Sequence, residues 1–265
     1  MTGYMWSSLR SQPLGKPLPF TLLANQQPPA ALGLFMLVII NAGESLLPAN
    51  AEAMLSAAQN TSRSCNSTEA DLYIITPVSR FKRKEDLVRI AVSIRWDCVA
   101  QWILVYDTER QHDLEPLFSE SPKVTEIFFH AEEGAGFGNM QRNRGIDKVM
   151  QGLVYFLDDD NIMHAHFWDI LPDITLGHIT TFDEVRMEDN PPRVLEGQSI
   201  SVGSIDTAMY VIDRALFGET RWHQNDLAAD GMFVGEIFGN NSDKHVYIPG
   251  VAAYHNGLVI PERRL

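Results

Sequence analysis

The stretch Leu153-Val154-Tyr155-Phe156-Leu157-Asp158-Asp159-Asp160-Asn161 decides how this chain folds. Its first five residues are all apolar, and a short apolar run that ends at polar residues is typical of a buried strand. The three consecutive carboxylates that follow repel one another, so they must be solvated or bound to a cation. Hard oxygen ligands suit Mn²⁺ or Mg²⁺, and such a cation can also bridge two phosphates. The alternative is a solvated acidic turn at a strand end.

On both sides of this stretch, short apolar runs alternate with helical patterns. This alternation predicts a parallel, doubly wound α/β sheet, in which ligands bind beyond the carboxyl ends of the strands. Asp107 and the acidic triplet both occupy that position. After residue 178 the pattern becomes richer in strands, which predicts a mixed second half. The predicted strands are 72–77, 102–107, 124–129, 153–157, 178–182 and 208–212, and the predicted helices are 84–96 and 139–150.

Composition narrows the classes of function. The chain has 265 residues, with 21 basic and 34 acidic side chains and a formal net charge of −13. Such a surface repels phosphate backbones, so we expect no nucleic-acid partner. Two cysteines are too few for a disulfide scaffold or a four-thiolate zinc site. Whether Cys65 and Cys98 pair is left open.

The N-terminal region, residues 1–70, predicts a targeting segment followed by a flexible stem. Residues 30–40 are continuously apolar, which is short for a membrane span of about 20 residues. They fit the apolar part of a signal peptide or signal anchor, and a core helix is the alternative. Asn60, Asn66 and Asn240 each begin an acceptor pattern for N-glycosylation. We therefore expect a glycoprotein of the secretory pathway, in the Golgi lumen, that is either secreted or held as a type II membrane protein.

Two further residues are candidates for binding an anion or a metal. Arg142 lies at a predicted helix start after a glycine-rich loop, where a guanidinium group and free backbone amides suit phosphate oxygens. The alternative is an arginine on the surface of an amphipathic helix. His255 follows an apolar run and offers an imidazole to a metal, although a lone histidine is more often structural.

A catalytic base is expected at some distance from the metal. Asp230 begins an apolar helical run, and a carboxylate there suits proton removal from a hydroxyl group. A helix N-cap is its compatible structural role. Asp206, which precedes the predicted strand 208–212, is the rival candidate. Asp107 suits hydrogen bonds to a base or ribose, with a turn or cap residue as the alternative.

These motifs resemble those of GT-A-fold glycosyltransferases, most closely glycosyltransferase family 43, the β-1,3-glucuronosyltransferases and their plant xylan-related relatives. The matching stretches occur in the same order between residues 71 and 165. They are 73–78, 85–89, 102–107, 141–143 and 154–161. The resemblance implies a GT-A fold with a UDP-sugar-binding half at 71–165 and an acceptor half at 166–265.

The resemblance also implies a role for each candidate residue. Asp230 stands where the family has its glutamate base, so an aspartate here is a departure. From the nucleotide to the base, the implied assignments are Thr76, Pro77 and Asp107 at the uridine, Arg142 at the nucleotide or its diphosphate, Asp158 and Asp159 at the nucleotide sugar, Asp160 on Mn²⁺, Asp206 at the transferred sugar, His255 at the diphosphate and Asp230 as the base.

The predicted function is a metal-dependent transfer of a sugar, with glucuronic acid and xylose as candidates, from a UDP-sugar to a glycan hydroxyl with inversion. The expected cofactor is Mn²⁺ or Mg²⁺. The expected partners are the UDP-sugar, a glycan or glycoconjugate acceptor, a membrane through the N-terminal anchor, and a second copy of the chain. Three alternatives stay open: a retaining mechanism, a catalytically inactive nucleotide- or glycan-binding partner of an active glycosyltransferase, and a nucleotidyltransferase.

Overall fold

A computed structural model describes residues 70–78, 84–107, 116–129, 138–223, 226 and 228–258. The predicted targeting segment and stem, with Cys65, Asn60 and Asn66, lie outside these residues apart from residue 70. Within the described ranges, no helix is both long enough and apolar enough to cross a membrane. The helices are α1 (Lys84–Ser93), α2 (Asn139–Ile146), α3 (Phe167–Ile170) and α4 (Ala229–Asn240).

The strands of the described part form a single sheet of nine strands. They run in the order β3-β2-β1-β4-β8-β6-β9-β5, and β7 pairs with β6. The strands are β1 (Leu72–Val78), β2 (Gln101–Asp107), β3 (Val124–Phe129), β4 (Leu153–Phe156), β5 (Ile162–Met163), β6 (Ile179–Arg186), β7 (Arg193–Leu195), β8 (Tyr210–Asp213) and β9 (His245–His255).

The first half of the sheet is parallel. β1 pairs in parallel with both β2 and β4, and β2 pairs in parallel with β3. Helices cover both faces: α1 and α3 supply apolar side chains to one core cluster, and α2 and α4 supply them to the other. Because both faces are covered, β1, β2 and β4 are almost wholly buried. The predicted parallel α/β half is confirmed.

The second half of the sheet is mixed, as the sequence predicts. β8 pairs antiparallel with β4 and with β6, while β9 pairs in parallel with β6 and antiparallel with β5. The predicted strand 208–212 was placed too early, because a short 3₁₀ turn, Thr207–Met209, precedes β8. The predicted strand 178–182 was too short, since β6 continues to Arg186.

Two glycines bring α2 onto β1. Gly138 has a left-handed φ of 77° and lies where an added Cβ would come 2.8 Å from the Pro77 Cβ. An added Cβ on Gly145 would overlap the Ile75 side chain. The start of α2, with Arg142, is therefore held against the carboxyl end of β1. The helix ends at Ile146, earlier than the predicted residue 150.

The segment between α1 and β2 carries one of the two cysteines. Cys98 is buried and disulfide-bonded. The predicted helix 84–96 was too long, because α1 ends at Ser93. The Trp96 indole then donates a hydrogen bond of 3.1 Å to the Ala91 carbonyl.

Candidate active site

The acidic triplet forms a turn directly after β4. The Leu157 amide still bonds to the Ile75 carbonyl of β1, at 3.0 Å, and the Asn161 amide closes the turn onto the Asp158 carbonyl, at 3.1 Å. Asp159 and Asp160 are each only 7% exposed. A solvated acidic turn is therefore wrong for these two residues, since the fold draws both into the protein.

Arg142 meets this turn from α2. Its Nη2 lies 2.5 Å from the Asp158 Oδ1, and its guanidinium group stacks 4.6 Å above the Trp222 ring centroid. The side chain is 4% exposed, so the interpretation as a surface arginine is wrong. Burial lowers the pKa of Arg142, but Asp158 and Asp230 outweigh that effect and raise it. A charged guanidinium group therefore stands beside the acidic triplet.

Thr207 connects the triplet to the turn before β8. Its hydroxyl lies 3.3 Å from the Asp158 Oδ2 and 3.0 Å from the Asp206 Oδ1, and it can donate to either carboxylate. Asp206 and Asp158 are thereby held on the same side of the sheet. The structure thus brings Asp206 within reach of the acidic triplet, and its assignment to the transferred sugar stays a prediction.

His255 ends β9 and faces two carboxylates. Its Nδ1 lies 2.9 Å from Glu188, and its Nε2 lies 3.5 Å from Asp206. Burial lowers the pKa of His255, but Asp206 and Glu188 together outweigh it and raise the pKa, which favours the imidazolium form. The next residue fixes its place, because the Asn256 amide donates a hydrogen bond of 2.9 Å to the Asn161 Oδ1.

Asp230 approaches the same cluster from α4. It is the second residue of that helix, whose N-cap is Ala228, so an N-cap role for Asp230 is wrong. Burial raises the pKa of Asp230 to about 7. Arg142 and His255 oppose this rise, and the nearby Asp206 and Asp158 reinforce it. A carboxylate with a pKa near neutrality suits a general base, because it can both accept and release a proton.

The residues predicted to contact the uridine lie near the carboxyl ends of two parallel strands. Thr76 and Pro77 are buried inside β1, and the Thr76 hydroxyl accepts a hydrogen bond of 2.9 Å from the Trp102 indole. The predicted strand 72–77 is therefore confirmed as β1, and the uridine contact of Thr76 and Pro77 stays a prediction. Asp107 is the last residue of β2 and is 2% exposed, at the strand end where the sequence placed it.

Sequence reasoning missed Glu184, Arg186 and Glu188. They alternate along β6 and past its end, and the Arg186 Nη2 lies 2.7 Å from Glu188. Glu184 is fully buried. An acidic, basic and acidic residue at every second position was the signal that we overlooked, because such spacing places side chains on one face of a strand.

Several buried polar atoms around these residues have no hydrogen-bond partner in the described part of the chain. They are the Asn161 Nδ2, both carboxylate oxygens of Glu184, the Tyr210 hydroxyl and the Trp222 Nε1. Buried polar atoms are usually paired with protein, water or ligand. Their concentration here makes the strand-end region the candidate binding site.

The described part of the chain does not form a complete metal site by itself. Within the described residues, no group of three or more histidine, cysteine or acidic side chains is arranged to hold a metal ion. Mg²⁺ is commonly held by one or two carboxylates together with substrate phosphates and water. The buried Asp159 and Asp160 could supply the carboxylates of such a site, with the remaining ligands coming from the substrate phosphates and water.

Neither a protein-family model nor a curated protein matches this chain. Solved structures do. S. aureus TarS 1-349 in complex with UDP matches with a TM-score of 0.52 and 14% identity, over 70% of this chain and 60% of that chain. The complex of the same protein with UDP-GlcNAc matches with a TM-score of 0.46 and 13% identity, over 70% of this chain and 58% of that chain.

This chain thus spans about 60% of the length of the TarS 1-349 structure with UDP. At such low identity the likeness shows the fold, which is the GT-A type predicted from the sequence. Membership of family 43 stays a prediction.

Proposed function

We propose that this chain is a glycosyltransferase that moves a sugar from a UDP-sugar to the hydroxyl group of a glycan acceptor. The GT-A fold supports the proposal, and so does the UDP bound to the TarS structure that it resembles. One observation carries it. Buried Arg142 and the half-buried Asp158, Asp206 and His255 meet in one network at the strand ends, and Asp230 faces them with a pKa of about 7.

The donor side of the proposal rests on local charge. The chain has a net charge of −13, so an anionic nucleotide needs nearby cations to bind. Arg142 provides one beside the acidic triplet, and Asp206 and Glu188 raise the pKa of His255, which favours its cationic form there. Asp107, at the carboxyl end of β2, is the acceptor that we assign to the uridine.

The proposed reaction is a direct displacement. The acceptor hydroxyl oxygen forms a bond to the anomeric carbon while the bond from that carbon to the diphosphate oxygen breaks, and its electron pair leaves with UDP. Asp230 takes the hydroxyl proton. Attack from the face opposite UDP inverts the anomeric configuration.

Stabilising the departing diphosphate is the main demand on the chain's own residues. Arg142 is fixed by Asp158 and by its stacking on Trp222, so it presents a positive charge without reorganising. When bound at Asp160, Mn²⁺ or Mg²⁺ would supply further neutralisation of the diphosphate charge. His255, held between Glu188 and Asp206, adds a third source of positive charge.

A screen of UDP-sugars tests this function. The protein is incubated with each donor, including UDP-glucuronic acid and UDP-xylose, with and without Mn²⁺, and released UDP is measured. We expect at least one donor to release UDP, and Asp230→Asn to abolish glycan transfer. Asp243→Asn, which changes an exposed aspartate just beyond the end of α4, is the matched control. No UDP release from any donor, together with no binding of UDP, would contradict the proposal.

The stereochemical part of the proposal needs a separate measurement. NMR of the first product formed reports the configuration at the anomeric carbon. We expect it to be opposite to that of the donor. Retention would keep the transferase but overturn the role of Asp230 as the base in a single displacement.

We further propose that the protein works in the secretory pathway, with the Golgi lumen as its compartment. Cys98 is disulfide-bonded, which is favoured in oxidising compartments. Asn240, at the end of α4, is exposed and begins an acceptor pattern for N-glycosylation. Glycosidase treatment of the protein from a eukaryotic host should shift its mass, and Asn240→Gln should reduce the shift. An unshifted wild-type protein would count against this placement.

A further inference from the structure

Glu184 is the most unusual side chain near the proposed site. It lies on β6 opposite Ala253 of β9 and Leu195 of β7, and it has no solvent exposure. Neither carboxylate oxygen has a hydrogen-bond partner in the described part of the chain. Burying an ionised carboxylate without a partner is strongly unfavourable, so the geometry requires this side chain to be uncharged.

The charged groups around Glu184 come from several elements. Arg186 lies two residues along the same strand, and Glu188 follows the strand end. Asp206 approaches from the turn before β8, and Asp158 approaches from the end of β4. The ring of Tyr155, on β4, also faces Glu184. Three of these four charged groups are acidic, so the surroundings also disfavour a negative charge on Glu184.

The network of ion pairs near Glu184, which runs from Arg186 to Arg142, carries equal numbers of positive and negative members. Arg186 lies 2.7 Å from Glu188, Glu188 lies 2.9 Å from His255, and His255 lies 3.5 Å from Asp206. Thr207 then connects Asp206 to Asp158, which lies 2.5 Å from Arg142. With the histidine protonated, three cations face three anions. The members in order are Arg186, Glu188, His255, Asp206, Thr207, Asp158 and Arg142. A charge on Glu184 would add a fourth anion near Asp206.

We propose that Glu184 is a positioning residue for the transfer reaction, whose uncharged carboxyl group, two residues before the Arg186 that pairs with His255 across β6 and β9, keeps this network balanced and His255 directed toward Asp206. The inference rests on the proposed function, because it assigns Asp206 and His255 to the donor. Glu184 acts through these residues and does not touch the substrate, since it has no exposed surface.

The direction of the Glu184 pKa agrees with this role. Burial raises the pKa of Glu184 to about 9, and Asp206 raises it further than burial alone would. The carboxyl group therefore carries its proton at neutral pH. As the pH rises through about 9, Glu184 would ionise and place a negative charge near Asp206. Repulsion between the two carboxylates would then shift Asp206.

The first test measures stability and needs no substrate. The usual pKa of a glutamate is 4.5; between that value and the raised folded-state value, the folded protein holds a proton that the unfolded chain releases. Stability from this group is therefore fully present at acidic pH and is lost as the pH rises through that window. Glu184→Gln keeps the shape and stays neutral. Relative to Glu184→Gln, the wild-type unfolding equilibrium should shift toward the unfolded state by about tenfold per pH unit within the window.

Glu126→Gln is the matched control for this stability test. The Glu126 carboxylate accepts hydrogen bonds from the Tyr106 hydroxyl and the amides of Leu117 and Phe118, so both of its oxygens are paired, unlike those of Glu184. We expect Glu126→Gln to destabilise the protein, because an amide replaces one of the two acceptor oxygens with a donor, in contrast to Glu184→Gln. If the unfolding free energies of wild type and Glu184→Gln differed by the same amount at every pH, the proposal would be overturned.

The second test separates positioning from packing. With the active donor, we expect wild-type activity to decline as the pH rises through about 9, where Glu184 ionises. Glu184→Gln should keep the wild-type kcat and donor KM at neutral pH and should lack that decline. An unchanged pH profile, or loss of activity at neutral pH in a folded variant, would overturn the positioning role. If Glu184→Gln does not fold, Glu184→Met provides the same uncharged comparison, and failure of both to fold would also overturn it.

These outcomes distinguish the two proposals. If no UDP-sugar is turned over, the proposed function fails, and with it the positioning role, whatever the unfolding curves show. If transfer is found but the two unfolding curves stay parallel, the function stands and the inference on Glu184 fails.

Discussion

The two halves of the sheet place their polar groups differently. In the parallel half, β1, β2 and β4 are almost wholly buried, and the candidate residues Asp107 and Asp158 lie at or beyond the strand ends. In the mixed half, a carboxyl group lies inside a strand, at Glu184, and His255 is still part of β9. The parallel half therefore acts as a rigid platform with binding groups at its edge. The mixed half carries titratable groups whose charges depend on one another.

This difference indicates that the two halves contribute differently to binding and to the reaction. The parallel half supplies Arg142, which is held by a buried ion pair and has little freedom to move. The mixed half supplies Asp206 and His255, and Asp230 comes from α4, which packs on the same face of the sheet as α2. We expect substitutions in the first half to weaken nucleotide binding and stability, and those in the second half to change the rate and its pH dependence.

The largest effect is expected at Asp230. Asp230→Asn removes the proposed base, so kcat should fall by about 10²- to 10⁴-fold, while the affinity for UDP stays within a few-fold. In the wild type, activity should rise as the pH increases through about 7, because the base must be deprotonated. Initial rates across pH and calorimetric titration with UDP measure both quantities. A variant that keeps the wild-type rate would show that Asp230 is not the base.

The second largest effect is expected at Arg142, which the parallel half supplies. Arg142→Ala leaves Asp158 without its partner, and removal of one member of a buried pair costs about 3–5 kcal/mol. We expect the lower end of that range, because the Asp158 side chain is 27% exposed. Urea unfolding measures this change, and UDP affinity should fall with it.

Arg144 is the matched control on the same helix. It is 54% exposed and lies 4.0 Å from Asp147, so Arg144→Ala should change the unfolding free energy by less than about 1 kcal/mol. Equal losses from the two arginine variants would remove the distinction between a buried network and a surface pair.

A smaller effect is expected where α4 meets the loop before Asp206. An added Cβ on Gly231 would lie 2.6 Å from the Val202 Cα, and backbone does not yield easily. Gly231→Ala should therefore destabilise the protein by about 1–3 kcal/mol through overpacking. Because this contact adjoins Asp230, we expect the acceptor KM to rise while UDP affinity is unchanged.

Gly239 provides the comparison within the same helix. An added Cβ there meets nothing within 4 Å, so Gly239→Ala should stabilise the protein by about 0.5–1 kcal/mol. Thermal unfolding of both variants measures the difference. If Gly231→Ala weakened UDP binding as strongly as acceptor binding, the division between the halves would be wrong.

The smallest effect compares two buried tyrosines. The Tyr155 hydroxyl donates a hydrogen bond of 3.0 Å to the Ala208 carbonyl, whereas the Tyr210 hydroxyl has no partner in the described residues. Tyr155→Phe should cost about 0.5–1.5 kcal/mol, and Tyr210→Phe should be neutral or slightly stabilising. Chemical denaturation resolves the two. A larger loss from Tyr210→Phe would mean that its hydroxyl is paired in solution, for example by a buried water.

The same contrast explains what the sequence could predict. Apolar runs that end at Asp107 and at the acidic triplet identify parallel strands and their functional ends, because a buried strand must lose its apolar pattern where it reaches solvent or a ligand. Arg142 was also predictable, since the glycine at 138 precedes a helix start. These inferences need only local pattern and the geometry of parallel sheets.

The mixed half was harder to predict, for a physical reason. Whether Glu184 is neutral or charged depends on Asp206 and Asp158, which are distant in sequence. The Thr207 contact depends on a 3₁₀ turn that replaces the first part of a predicted strand. Such features come from tertiary packing, which overrides local propensity.

The central claim is that the two halves together hold a UDP-sugar at the network that runs from Arg142 to His255. A crystal structure of the protein with UDP and Mn²⁺ tests it most directly. The account predicts the uridine at Asp107 and the diphosphate between Asp160, Arg142 and His255. UDP bound elsewhere on the protein, or crystals without UDP at saturating concentration, would contradict it.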